Sequence, residues 1–207
     1  MTRAIEEWLA TADVSFAVYG PADVERISGL TTDMQRVWRR RGQLPSLASG
    51  HARFGIIEAI EITLRYAASK AGISPSELQL DLADAAKAAK FHGVFSHGGC
   101  EVIGSPDDVD HFLKIFEEDQ GQLGSFLVGK PRVSNYLVLN EWHETRIVDD
   151  PEDLVRDSEE LNLVFNLRQF GSRLVELGRK PVVTIRFSDR LGFRSVRRLT
   201  GVGANDS

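Results

Sequence analysis

The 207-residue chain carries 25 Lys/Arg against 30 Asp/Glu, a net charge of −5. That balance excludes a protein that holds polyanions over its whole surface, and a single cysteine, Cys100, excludes an internal disulfide. Residues 1–15 lack the apolar core of a signal peptide, and no apolar run approaches the ~20 residues of a membrane helix, so the expected location is cytoplasmic, with no membrane partner.

Residues 1–15 read as a short helix with Ile5, Trp8 and Leu9 on one side. A second short helix is expected over 21–28. Pro21 suits a first helical position, where its missing N–H costs nothing. Val24 and Ile27 share a face, and Gly29 supplies the left-handed stop. A third helix follows at once. Thr32 with Gln35 forms a capping box, with Thr31 as the alternative cap, and Gly42 ends the helix. Four arginines, Arg36, Arg39, Arg40 and Arg41, fall within six positions. Helical spacing puts Met34, Val37 and Trp38 on the buried side, with Arg41 beside them, and Arg36, Arg39 and Arg40 on the other. Residues 43–53 contain Pro45, Ser46, Ser49 and Gly50 and read as a loop closed by His51, Arg53 and Phe54. A long amphipathic helix over 56–71 carries Ile57, Ile60, Leu64 and Ala67 or Ala68 at helical spacing.

Helical signals resume at Ser74-Pro75 and continue through Leu78, Leu82, Ala85, Ala86 and Ala89 to Phe91. The glycine-rich stretch 91–104 is expected to form a short hairpin. Ser105-Pro106 is a cap followed by a first-turn proline, and Val109, Phe112, Leu113 and Phe116 extend that helix to about Asp119. Residues 121–131 read as a loop or linker. The β-rich runs 135–140 and 145–148 suit a hairpin. Asp150-Pro151 and Ser158 are helix starts, the second opening the longest expected helix, 159–177, with a seam of Leu163, Leu167, Phe170, Leu174 and Leu177. That seam suits either a core or a dimer surface. A strand is expected over 182–187, then a tail from Asp189 with Arg190, Arg194, Arg197 and Arg198 and a disordered polar end.

The fold class expected is α+β, mainly helical. The expected organisation is an extension over 1–15, a helix-turn-helix domain over 16–78, a helical connection over 79–130, a C-terminal domain of hairpin, long helix and strand over 131–190, and a tail over 191–207. Charge divides along the chain. Residues 16–70 hold eight cationic and five acidic side chains, a net +3, which leaves −8 for the remainder. A basic module joined to an acidic body suits a nucleic-acid reader with a separate pairing or sensing part.

The pieces Phe16-Ala-Val-Tyr19, Ala22-Asp-Val-Glu-Arg-Ile-Ser-Gly-Leu-Thr31, Arg36-x-Trp38-x-x-x-Gly42-x-Leu44-Pro45 and Gly50-His-Ala-Arg-Phe54 resemble, in order and spacing, the N-terminal DNA-binding domain of the MerR family. The resemblance spans 16–78, about a third of the chain. It implies a winged helix-turn-helix whose second helix enters the major groove and whose following loop touches the phosphate backbone. It also implies that Arg36 and Arg53 match the family's basic residues, Gly42 and Leu44 its turn, and Phe54 its wing aromatic. The chain departs from the family with Val37 and Trp38 in place of paired tyrosines and Arg39 in place of an acid. A further departure is that the segment 74–92 has no sustained heptad of the kind through which the family dimerises. The residues expected to contact DNA are Thr31, Thr32, Gln35, Arg36, Arg39, Arg40, Arg41, His51 and Arg53. The expected partners are double-stranded DNA and a second copy of the chain, with RNA polymerase or a small effector as further partners. The function expected is sequence-specific transcriptional regulation; a phage-type architectural or excision factor is its nearest variant. The alternative class is a protein-interaction or small-molecule-binding module that uses the helix-turn-helix structurally.

No enzyme is expected, because nucleophile elbows, phosphate-binding loops and paired metal-helix motifs are absent from the sequence. His97 and Cys100, with His92 and His111 near in sequence, read as a glycine turn beside a buried thiol, since zinc sites want four ligands. Asp107, Asp108 and Asp110 read as first-turn acids that meet the positive end of a helix dipole. No cofactor or metal is expected.

Overall fold

The computed structural model describes residues 7–44, 52–75, 82–129, 133–140, 144–150, 152–153, 162–188 and 195–199. The fold is α+β and mainly helical, with two small sheets.

The N-terminal segment differs from its expectation. Among the described residues, 7–9 are helical, and the chain then enters strand β1, Asp13–Phe16. Trp8 stacks on Phe187 with ring centroids 4.5 Å apart, and Leu9 is fully buried. The strand exists because β6, Val183–Arg186, offers a matching antiparallel edge, Asp13 opposite Arg186 and Phe16 opposite Val183. β6 is the expected C-terminal strand.

The first sheet runs β1-β6-β2-β7. Its β2, Cys100–Gly104, lies where a hairpin was expected. The preceding helix instead continues to Phe95, and β2 pairs parallel with β6 and antiparallel with β7, Ser195–Arg198. The glycines that suggested a hairpin serve a close approach: a Cβ on Gly99 would stand 1.9 Å from the Gly93 carbonyl oxygen. The expected tail also contributes, since residues 195–198 form β7 and Leu199 is buried, its N–H donating to the Cys100 carbonyl. The polar end beyond lies outside the described residues.

Among the described residues, four helices lie between β1 and β2: α1, Pro21–Ser28; α2, Thr32–Arg40; α3, Ile56–Lys70; and α4, Ala83–Phe95. α3 is the expected long amphipathic helix. α5, Pro106–Glu118, starts as its sequence dictates, with the Ser105 hydroxyl accepting from the Asp108 N–H. The expected loop at 121–131 is instead a short helix α6, Gln120–Gly124, and a π-helical turn, Ser125–Gly129. Asp119 caps α6 by accepting from the Gln122 N–H at 3.0 Å, and Leu123 and Leu127 are buried.

The second sheet, β4-β3-β5, contains the expected hairpin of β3, Tyr136–Asn140, and β4, Thr145–Val148. Its third strand is a correction. β5, Asn162–Asn166, occupies the start of what reads as the longest helix, and the helix proper, α7, is confined to Leu167–Glu176. The longest helix in the described structure is α3, with 15 residues. Leu163 falls in helical register with Leu167 and Leu174 by coincidence; the Leu-Val-Phe run suits a strand, and β3 takes Asn162–Asn166 as a partner. Asn166 then caps α7 by accepting from the Gln169 N–H.

α7 crosses α4 at glycines. A Cβ on Gly171 would stand 2.5 Å from both the Ala89 carbonyl oxygen and the Gly93 nitrogen. Leu167 and Leu174 are fully buried there, and Leu163, Phe170 and Leu177 pack partly buried against the same core. The seam therefore packs into the chain's own core.

Candidate nucleic-acid interface

α1 and α2 form a tight two-helix unit. Gly29 takes φ 83 and ends α1, as its sequence requires. The Ser28 hydroxyl closes the turn by donating to the Val24 carbonyl and accepting from the Leu30 N–H. Thr31, the alternative cap, is the one used: its hydroxyl accepts from the Met34 N–H at 3.3 Å. Thr32 has another role. Its N–H and hydroxyl both donate to the Glu25 carboxylate, at 3.0 and 2.7 Å, which ties α2 to α1 and holds the Glu25 carboxyl below its ordinary range.

The buried side of α2 is Gln35 and Trp38, not Met34, Val37 and Trp38. Met34 is 43% exposed and Gln35 only 1%. The reason is polar. The Leu30 carbonyl, in the turn, needs a donor away from water, and the Gln35 amide nitrogen donates to it and to the Pro21 carbonyl, both at 3.0 Å. Gln35 is thus withdrawn from any interface, a correction to its expected role in DNA contact. Trp38 packs edge-on against Tyr66 of α3 with centroids 6.1 Å apart. Val24, Ile27, Leu30, Leu44, Ile60 and Leu64 fill the same core.

The remaining expected residues divide by exposure. Arg36 and Arg40, four residues apart, share the outward strip. Arg36 pairs with Asp33 at 2.9 Å, and both side chains are well exposed, so solvent screens the pair. Arg41 is exposed just past the helix. Arg39 turns away from Arg36 and Arg40; it is half-buried, its guanidinium 5.7 Å from the centre of the Phe54 ring. Arg53 is exposed on the strand-like segment beside Phe54, which a two-way backbone bridge joins to Tyr19 at 2.8 Å each way. His51 and the loop over 45–51 lie outside the described residues.

One set of contacts is not legible in the sequence. Asp23 of α1 accepts from the Gly20 N–H, from Arg26 and from Lys180 of the α7–β6 loop. Partial burial alone would raise the Asp23 carboxyl, but these donors hold it below its usual range. Lys180 also donates to the Val18 carbonyl and lies 4.9 Å from the Tyr19 ring centre, while Arg26 donates to the Leu177 carbonyl. The i,i+3 pair of Asp23 and Arg26 is visible in sequence; Lys180, 157 residues from Asp23, gives no local signal.

The thiol reading is direct. Cys100 is a free, buried cysteine at the start of β2, and burial together with Glu101 pushes its thiol up to about 12. Such a thiol is not a nucleophile near neutral pH. His97 is exposed, while His92 Nε2 lies 3.0 Å from the Ser134 carbonyl oxygen. The histidines and Cys100 do not form a metal cluster among the described residues. Asp107 and Asp108 occupy the first turn of α5. Among the described residues no helix is long and apolar enough to cross a membrane.

No family model matches the chain, and no curated protein matches it significantly.

Proposed function

We propose that the protein is a sequence-specific DNA-binding transcriptional regulator that places α2 in the major groove and acts as a homodimer. The observation that carries this reading is the outward strip of α2. Arg36 and Arg40 are exposed on one side of the helix, and Trp38 and Gln35 anchor the opposite side to α1 and α3. A helix that reads base edges must be held rigidly at its back while its cations face outward. Arg41 and Arg53 extend the cationic surface at the helix end. The MerR-like order of motifs supports the same docking. A lone helix-turn-helix makes few base contacts, so a two-fold site read by two copies suits this unit. The acidic remainder serves pairing, or contact with RNA polymerase or a small effector. Its location in this reading is the cytoplasm.

Mapping bound DNA and then measuring Arg36→Ala and Arg40→Ala on the mapped site tests the reading. A lost phosphate contact lowers the salt slope by about one unit and weakens all sequences alike. A lost base contact costs about 1–3 kcal/mol and relaxes one position. Undiminished binding by both variants overturns the assignment. Light scattering at micromolar concentration tests the homodimer, and a monomer rejects it. The exposure of Met34, at 43% on the same helix, favours as a second reading a protein-interaction surface; a chain that ignores duplex DNA in the mapping supports it.

A further inference from the structure

The loop that follows α7 places an arginine beside α1 in a costly conformation. Arg179 has φ 58, the one non-glycine residue in the left-handed region among the described residues. A glycine takes that conformation without penalty, and one stands immediately before it. Gly178 is used for something else: a Cβ there would lie 2.0 Å from the Leu174 carbonyl oxygen and 2.8 Å from the Tyr19 ring. The left-handed position thus falls to a fully charged, exposed side chain. Strain at an exposed residue with no packing role is a pointer to a ligand.

The position of the loop says which ligand. Arg26 donates to the Leu177 carbonyl at 3.1 Å, and Lys180 reaches Asp23 and the Val18 carbonyl at 3.0 Å each, so the loop is pinned to α1 on both sides of Arg179. Asp23 is occupied by Arg26 and Lys180, and no ion pair involves Arg179 among the described residues. α1 lies between two neighbours. Pro21 and Glu25 bond to α2 on one side, and Asp23 and Arg26 bond to the loop on the other. A helix is about 10 Å across and the major groove about 12 Å wide. A cation one helix width outward from a groove-filling α2 therefore meets the phosphate ridge bordering the groove rather than its floor.

We infer that Arg179 is a backbone-phosphate contact, by which the C-terminal half of the chain extends the DNA surface of α1 and α2. The inference rests on the DNA-binding reading and adds a contact from a segment far away in sequence. Such a contact positions the protein without reading bases.

The test uses the full chain, a mixed-sequence duplex and a salt titration followed by fluorescence anisotropy. Arg179→Gly removes the charge and relieves the backbone at once. The expected result is a several-fold loss of affinity at low salt and a salt slope reduced by about one, with a melting temperature no lower than that of the parent. Arg179→Lys should keep the slope. Arg186→Ala, which removes an exposed cation from β6 far along the sheet, should leave it unchanged. Parent-like affinity and slope for Arg179→Gly, while Arg40→Ala weakens binding, overturn this inference alone. An equal loss from Arg186→Ala also overturns it, because the effect is then long-range charge and not contact. A parent that does not bind the duplex overturns the DNA-binding reading and this inference with it; binding untouched by Arg36→Ala, Arg40→Ala and Arg179→Gly alike overturns the docking of α2 and this inference.

Discussion

The side-chain amide of Gln35 stands 3.0 Å from the Pro21 carbonyl, so the first turn of α1 hangs on a residue in the middle of α2. The same nitrogen satisfies the Leu30 carbonyl in the turn between the helices. One buried amide thus sets both the separation and the crossing of the pair, and it is the residue at which a polar letter in the sequence most resembles an interface contact without being one.

Gln35→Leu should therefore act on stability. It leaves the buried Leu30 carbonyl without this donor, at a cost of about 1–3 kcal/mol, partly recovered by apolar burial. The expected outcome is a lower urea midpoint with an unchanged slope. Loss of DNA affinity in a variant as stable as the parent would return Gln35 to the interface.

Trp38 is 4% exposed and packs on Tyr66. Trp38→Ala should lower stability by about 3–5 kcal/mol, seen as a marked drop in melting temperature. A parent-like melting temperature would show that the ring is not part of the core.

The link from Thr32 to Glu25 predicts a pH dependence. The Glu25 carboxyl is lowered in the folded state by the Thr32 hydroxyl and then by the Thr32 N–H. A lowered acid contributes stability above its unfolded pKa, about 4.3, and loses it as pH falls through the folded value. Glu25→Gln should accordingly be less stable than the parent at pH 7, and the gap should close toward pH 3. A gap that stays constant across this range removes the ionised contact from the account.

Gly171→Ala opposes two effects. Alanine improves helix propensity by about 1 kcal/mol. The new Cβ, however, meets backbone of α4 at 2.5 Å, and backbone cannot swing aside as a side-chain end can. Overpacking costs about 1–3 kcal/mol or more, so the variant should be less stable. Calorimetry showing a stabilised protein would mean that α4 and α7 separate easily.

The residues that give the site its chemistry were legible where local physics decides. Gly29, the threonine cap, the arginine run and the Ser105 cap act within a turn of helix, and each appears where its spacing places it, with Thr31 in the cap role rather than Thr32. The hairpin of β3 and β4 is local for the same reason. Arg39 and Met34 mark the boundary of that legibility. Helical spacing fixes their angle around α2, but Phe54 and the carbonyls of Pro21 and Leu30 that Gln35 reaches decide which angle is buried.

By itself the sequence determined the short helices near the N-terminus, their caps and stops, the cationic strip of α2 and the mainly helical α+β class. Those features depend on contacts between residues close in sequence, whose energies do not wait for the rest of the chain. Tertiary structure alone decided that Asp13–Phe16, Cys100–Gly104, Val183–Arg186 and Ser195–Arg198 share one sheet, that Asn162–Asn166 is a strand, and that Lys180 closes on Asp23. A strand's backbone groups are satisfied only by a partner, and the partners lie 83 or more residues apart in the first sheet and 22–30 apart for Asn162–Asn166. No local pattern encodes such a pairing; it is fixed when Val102, Val183 and Ile185 leave water together beneath the helices.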